Sequence, residues 1–458
     1  MIMLCKILSN ILIECKTNQV RHSALFVNAA KATEQFVYVT PHVDTKELLN
    51  NKKEIQEQLH KRNSNVDMGK IEELWTVYED LKSQKLRYEK KKAEISQKIG
   101  KIIKSDPNND ESNKLKIQMN LVKDNIKKLK IPLWSAEEAA MIEVLKIPNN
   151  LHPKSLAGNK VLFTHLGPPK NMKRHLNIAK ELNVINFIKN KNYYLSGDAA
   201  IFELGAKFHF TNVLKQNSFI QFSNTDFVKS LVVEGCGNDH TCPDTSFILH
   251  HNEDTKVNKD SRLHLTGGAS LCSFFAYHTK NVMYPKALPL KYFTMGRQYT
   301  PSPSGEESLF NVSQSSVVEV FGVTKTVSDL DAMLDEMTTI IKNIYTDLGY
   351  HFRLIIVPAD QLKMWESLRI AVEMYSTSLD CYVEVGNISA SGDFISKRLL
   401  FTYIENKESK FPHILSGTIL NIPKLLVVCQ IGFWMSMGGC KVISITSTWP
   451  VFVNKTTV

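Results

Sequence analysis

The chain has 458 residues, 43% of them apolar, a formal charge of +10 and a pI near 9.0. That length allows two or three domains with a sizeable core, and the positive balance favours a polyanionic partner. Eight scattered cysteines without a CxxC pair exclude a small disulfide-stapled domain, and with no run of about 18 apolar residues neither a transmembrane helix nor membrane insertion is expected.

Residues 1–35 form the first segment. Lys6, Lys16, Arg21 and Lys31 are interleaved with Met3, Leu4, Ile7, Leu8, Ile11 and Leu12, and Glu14 is the one acid before Glu34. An acid-poor amphipathic stretch of this kind reads as a mitochondrial transit peptide, which implies the matrix; a flexible leader is the plainer alternative. Lys6 and Glu14 interrupt the apolar stretch and argue against a secretory signal.

Residues 36–147 form the second. Glycine is nearly absent from Asp44 to Leu145, and one polar break, Ser105 to Asp110 with Pro107 inside it, predicts an αα-hairpin. Leu74, Leu81, Tyr88, Ile95 and Ile102 recur every seven residues before the break. Leu115, Met119, Val122, Ile126 and Leu129 alternate four and three after it, which is the seam of an antiparallel coiled coil. Lys85 and Lys92 fall near that seam, where looser packing is expected. Between Leu81 and Lys130 there are 15 lysines and arginines against six acids, an excess of nine positive charges. Lys90, Lys91, Lys92, Lys98, Lys101, Lys104, Lys114, Lys116, Lys127 and Lys128 for the most part project outside the seam. They are either a solvated helix face or a surface for sequence-independent phosphate contact.

From Pro148 to about residue 430, short β-rich runs alternate with helical ones. Strands are predicted at Ser218–Phe222, Lys291–Met295, Ser316–Val323, Phe352–Val357, Tyr382–Val385 and Leu399–Ile404. Helices are predicted at Arg174–Lys189, Ala199–Lys215, Thr326–Leu348 and Asp360–Tyr375. The pattern is α+β with a mainly antiparallel sheet. Neither a P-loop nor a GxGxxG turn occurs. Cys236, His240 and Cys242 resemble half of a metal site, but no second half lies at suitable spacing, so an ordinary loop and no metal are expected.

The order of these blocks resembles the class II seryl-tRNA synthetases. A coiled-coil arm is followed by Ile147-Pro148-Asn149-Asn150-Leu151-His152-Pro153. Then come Val233-Glu234-Gly235-Cys236-Gly237 after motif 1, Val318 to Thr324 at the end of motif 2, Asp393-Phe394 to Leu399 in motif 3, and Pro423-Lys424-Leu425-Leu426 at its end. The similarity spans roughly residues 40 to 430. It implies an antiparallel sheet of six or seven strands with flanking helices, and an arm that contacts tRNA by shape and backbone.

The resemblance also implies which groups the family's chemistry needs. Arginines neutralise the charge developing on ATP, and carboxylates hold the serine substrate. The Thr-x-Glu segment aligns with Thr266-Gly267-Gly268, so Gly268 replaces the glutamate. Arg-x-Glu of motif 2 aligns with Arg297-Gln298-Tyr299, which keeps Arg297 and puts Tyr299 for the acid. Further along motif 2, Asn311 stands for an arginine and Ser315 for the adenine-stacking phenylalanine. In motif 3, Ala390 stands for an asparagine and Lys424 for the ATP-clamping arginine, whereas Glu319, Glu373 and Glu384 are retained. A charge-assisted hydrogen bond contributes about 1.5–3 kcal/mol. Loss of the charged groups at 268, 299 and 311 therefore implies about 10⁴–10⁶ in rate. Lysine at 424 keeps charge but not the bidentate fork. The pattern resembles an insect group of seryl-tRNA synthetase-like mitochondrial proteins, regarded as binding tRNA without charging it. No catalytic residue and no cofactor are then expected, and Arg297, Glu319 and Glu384 take structural roles.

Two departures bear on assembly. The motif 1 proline, at the family's dimer face, aligns with Thr225, so both a homodimer and a heterodimer with the active mitochondrial seryl-tRNA synthetase are open. Residues 431–458 do not match the end of motif 3; Ile431 stands where the family has glutamate. Three readings follow: a tRNA-binding pseudoenzyme, a subunit regulating the active synthetase, and a residual ligase, which Gly268, Tyr299, Asn311 and Lys424 oppose.

Overall fold

The computed structural model describes residues 23–26, 39–105, 110–157, 160–168, 177, 181–188, 192–249, 262–302, 308–377 and 379–428. The leader, apart from residues 23–26, and the tail from 431 onward lie outside them. The described residues fall into two compact units, one within Met1–Thr40 and Asp44–Ile147, the other within Pro41–Val43 and Pro148–Val458.

The first unit is helical: α1 (Thr45–Asn50), α2 (Lys52–Lys61), α3 (Met68–Ser105) and α4 (Asp110–Val144). The Asp44 side chain caps α1 by accepting from the Glu47 amide. The two long helices pack along the seam that the heptads predict. Leu81, Ile95 and Val122 are buried, and Val77, Leu81 and Ala136 form a small core with Leu129 and Leu133. Ile117 and Leu121, off the seam, are exposed. Lysines at 85 and 92 leave α3 without a fully buried side chain between Leu81 and Ile95.

The second unit is built on one eight-stranded sheet. Its members are β1 (Lys160–His165), α5 (Gly197–Gln216), β2 (Ile220–Gln221), β3 (Leu290–Tyr299), β4 (Gln314–Thr324), α6 (Val327–Asp347), β5 (Phe352–Ile356), β6 (Leu368–Ser376), β7 (Cys381–Gly392), β8 (His413–Asn421) and α7 (Ile422–Val428). The strand order is β1-β5-β6-β7-β8-β4-β3-β2. Every pair is antiparallel except the short β2–β3 edge. The three helices cover one face. Phe210 of α5, Leu334, Met337 and Tyr345 of α6 and Leu425 of α7 pack on Val318, Val320, Val372 and Ile388.

Two predicted helices are corrected. Leu368–Ser376, which overlaps the second half of the predicted Asp360–Tyr375 helix, is a central strand. Leu362, Trp365, Leu368 and Val372 have helical spacing, but Leu368, Ile370, Val372 and Met374 also alternate with Arg369, Ala371, Glu373 and Tyr375, and pairing on both edges selects the period of two. Ile185–Ile188, the end of the predicted Arg174–Lys189 helix, is a strand paired with Asn192–Leu195; residues 177, 181 and 182 are helical as predicted, and residues 174–176 and 178–180 lie outside the described residues. The run Leu399–Ile404 is divided by Leu400 at φ 54°, which closes the helix Phe394–Leu399 before the strand Thr402–Glu405 begins.

Candidate functional site

The faces of the sheet decide which residues meet. Side chains alternate along a strand, and opposed residues of an antiparallel pair share a face. On β4, Ser316, Val318 and Val320 point to the helices, so Ser315, Val317, Glu319 and Phe321 point to the opposite face. That face is partly roofed by the helix Leu271–His278, whose Phe274 stacks on Phe321 with ring centroids 4.4 Å apart.

Glu319 is buried beside Thr418 of β8, which donates its hydroxyl to the carboxylate. Burial pushes the Glu319 carboxyl up to about 7, against the Thr418 hydroxyl and the charge of Lys363. Further across the sheet, the Arg369 guanidinium hydrogen-bonds the Glu384 carboxylate and lies 3.8 Å from Glu366. Glu366 also accepts from the Ser389 hydroxyl at 2.9 Å and the Lys363 amide at 2.7 Å, and Asn387 donates to Glu384 at 2.7 Å. Burial pushes Glu384 up, but Arg369, Lys424 and Asn387 outweigh it and hold the carboxyl below the usual range. Burial lowers the Lys424 ammonium, with Arg369 and Lys363 acting in the same direction and Glu384 opposing. Arg369 and Lys424 thus lie among the protein's own carboxylates, Glu366 and Glu384.

The other residues singled out in the sequence are placed as follows. Gly268 lies in a loop that crosses the end of β3. Ala269 donates to the Arg297 carbonyl at 3.2 Å and Tyr299 to the Thr266 carbonyl at 3.1 Å. Gly267, at φ 84°, allows this crossing, because a Cβ there would sit 2.1 Å from the Arg297 carbonyl oxygen. The Gly268 amide donates to Asp226 at 2.7 Å and its carbonyl accepts from Asn224 at 3.0 Å. A glutamate at 268 would start 3.4 Å from the Asp226 carboxylate oxygen, like charge against like charge. Asn311 is exposed, and Ser315 is half-buried on the Glu319 face. Ala390 is buried in the core opposite Leu368, on the helix side.

The register does not bring Arg297 to Glu319. β3 and β4 pair without a bulge from Leu290↔Val323 to Tyr299↔Gln314, which sets Arg297 opposite Ser316 on the helix side. There Arg297 lies 3.7 Å from Glu203 of α5, and Glu203 also accepts from Ser316 at 2.6 Å and Lys207 at 3.0 Å. Tyr299 shares that side. Gln298, opposite Ser315, is the residue of this stretch on the Glu319 face. Glu373 pairs with Arg353 at 2.7 Å.

Sequence reasoning missed Arg369, Glu366 and Thr418. The alternation of Arg369 and Glu373 with apolar neighbours was the signal for the first, but it was hidden under the helical reading. Among the described residues there is no cluster of three or more His, Cys, Asp or Glu fit to hold a metal. Cys236 is buried and His240 lies 3.6 Å from Glu234. No described helix is long and apolar enough to cross a membrane.

On the arm, Lys90, Lys91, Lys92, Lys98, Lys101, Lys114, Lys116, Lys127 and Lys128 are all exposed. Lys104 falls on α3, with its side chain outside the described residues.

One titration follows from the Glu319 environment. A carboxyl raised from 4.5 to about 7 on folding lends stability that is full below 4.5 and is lost as pH rises to about 7. Glu319→Gln keeps an acceptor for Thr418 and removes that loss. In denaturant unfolding the variant should gain on the wild type by roughly 2–3 kcal/mol between pH 5 and pH 8. An offset that is the same at both pH values contradicts a raised Glu319.

Comparison with known proteins places this architecture. Residues 256–431 match the family model for the tRNA synthetase class II core domain (G, H, P, S and T). The chain is 28% identical to the serine–tRNA synthetase-like protein Slimp of Drosophila melanogaster, over 98% of this chain and 97% of that one. It is 26% identical to the mitochondrial serine–tRNA ligase of Bos taurus, over 67% of this chain and 61% of that one. Its fold matches the crystal structure of a cytoplasmic serine–tRNA ligase from Naegleria fowleri with a TM-score of 0.69, at 17% identity, over 82% of this chain and 90% of that one. The chain is thus similar over nearly its whole length to a seryl-tRNA synthetase-like protein, and over residues 256–431 to the class II synthetase core.

Proposed function

We propose that this protein is a mitochondrial seryl-tRNA synthetase-like pseudoenzyme, which binds tRNA on its helical arm and does not aminoacylate it. The observation that carries the reading is the charge balance of the Glu319 face. An adenylate-forming site needs uncommitted cations for the phosphates and carboxylates for the amino acid. Here Arg369 is held by Glu384 and Glu366, Lys424 lies in the field of Glu384, and Arg297 is on the other side of the sheet with Glu203. Gly268, Asn311 and Ser315 stand where the family resemblance implies a carboxylate, an arginine and an aromatic ring. Residues 1–35 act as the transit peptide, 36–147 as the tRNA-binding arm, 148–430 as the pseudo-catalytic domain and 431–458 as an atypical tail. Serine tRNA is the expected ligand and the mitochondrial matrix the expected compartment.

The exposed lysines of the arm support the binding half of the proposal, since backbone contact needs positive charge without a fixed sequence. Intact protein should bind mitochondrial tRNA with an affinity that falls steeply across a salt series. Changing Lys90, Lys91, Lys92, Lys114 and Lys116 to Glu should flatten the slope by about one unit for each lysine–phosphate pair removed and abolish binding at moderate salt. Absence of salt-sensitive binding by the intact protein overturns the arm's role.

A second reading rests on α5. Ile201, Leu204 and Phe208 lie three and four residues apart along this helix and are 50%, 60% and 37% exposed. A stripe of this kind suits a subunit interface. It supports a dimer, either of two copies or with the active mitochondrial seryl-tRNA synthetase, for which this chain would be a regulatory or stabilising subunit. Leu204→Glu should convert the dimer to monomer in light scattering. Retention of the dimer by that variant rules this face out.

A further inference from the structure

The arm carries a groove that the coiled coil does not explain. It encloses about 440 Å³, within the range of small-ligand sites, roughly 300–1,000 Å³. Lys85 and Lys92 of α3 form one wall, and Lys123, Lys127, Lys130 and Trp134 of α4 the other. Its one acid, Glu89, lies 3.8 Å from Lys85, so positive charge prevails. Ile126 and Leu133, members of the seam, form the apolar floor. The groove exists because Lys85 and Lys92 occupy positions where the heptad calls for apolar side chains, and no buried residue of α3 fills the space between Leu81 and Ile95.

Trp134 is the informative residue. It lies off the seam line of Leu129, Leu133 and Ala136, so packing of the two helices does not require it. Its indole is half-buried at one end of the lysine walls, with the Lys130 ammonium 4.5 Å from the ring centroid. Such an interaction is weak at an exposed site and yields readily to a better partner. A groove for backbone phosphate alone needs no aromatic face. An aromatic face among lysines matches a nucleotide, whose base stacks while its phosphates meet the ammonium groups. Bases within an A-form helix are stacked and out of reach, so the nucleotide must be unpaired.

We propose that this groove seats one unpaired nucleotide of a bound RNA, with its base on Trp134 and its phosphate between Lys85 and Lys127. The inference rests on the reading of the arm as an RNA-binding element, and it adds a base-contacting subsite to the diffuse charge of the helix faces. It gives the arm a preference for RNA with a bulge or loop over a continuous duplex.

The test uses the full chain and two RNAs, a blunt duplex and the same duplex with a short bulge. Intact protein should bind the bulged RNA roughly 5- to 150-fold more tightly, the range that a stacked base contributes. Trp134→Leu should bind both RNAs alike, with affinity for the blunt duplex and its salt slope unchanged, and Trp134→Phe should keep part of the preference. Far-ultraviolet circular dichroism establishes that the arm remains helical in both variants. Stacking should also quench the fluorescence that Trp134→Phe lacks when bulged RNA is added, and free AMP at the same concentration should not. Equal quenching by AMP overturns the site as an RNA site. Persistence of the preference in Trp134→Leu, or its absence in intact protein that binds the blunt duplex, overturns the subsite and leaves the basic arm standing. Failure of intact protein to bind either RNA overturns both.

Discussion

The unbroken pairing of β3 with β4 is the constraint on which the rest of the second unit depends. Ten consecutive pairs tie Leu290–Tyr299 to Gln314–Val323, and each fixes the side of the sheet on which two side chains fall. A slip of one residue would carry Val318 and Val320 out of the helix-side core and bring Glu319 into it. The core formed with Phe210, Leu334 and Met337 therefore holds Glu319 on the opposite face, beside Thr418. The same pairing commits Arg297 to the helix side, where Glu203 receives it. The charge distribution of the candidate site is thus a consequence of apolar packing one layer away.

That distribution has an energetic logic. Several ionised groups lie largely out of water, and a buried charge without a partner is strongly unfavourable. Arg369 between Glu366 and Glu384, and Lys424 near Glu384, remove that penalty internally. Truncating one partner of such a set typically costs about 3–5 kcal/mol, because the other charge is left stranded. A site for a polyanionic substrate requires the reverse, cations whose partner arrives with the ligand. The two arrangements compete for the same side chains, and here the protein supplies the anions itself. The arm is organised in the opposite sense. Its lysines are solvated, outnumber the acids and cost little to leave unpaired until a polyanion binds.

The arm was the most legible part of the sequence, because a heptad seam is a local periodic signal. Leu81, Ile95 and Val122 are buried and Leu121 exposed as the spacing predicts. The antiparallel sheet was legible in outline through its β-rich runs, whereas Leu368–Ser376 fitted both periods and only its two neighbouring strands resolve the ambiguity. Lys85 and Lys92 announced a weak place in the seam, but the groove there also needs Trp134 from the other helix, a long-range juxtaposition. The motif match at Arg297 preserved residue type but carried no information about the face, which only the hairpin register reveals. Arg369, Glu366 and Thr418 came from runs without a motif, and pairing of β6, β7 and β8 brings them to one surface.

On the proposed reading, a synthetase fold here binds RNA without activating an amino acid. Serine-dependent exchange of pyrophosphate into ATP, with excess Mg²⁺ and saturating serine, tests it most directly, because it isolates adenylate formation from any effect of tRNA. No exchange above the level seen without protein is expected. Serine-dependent exchange clearly above that level would contradict that reading and return the chain to the working ligases.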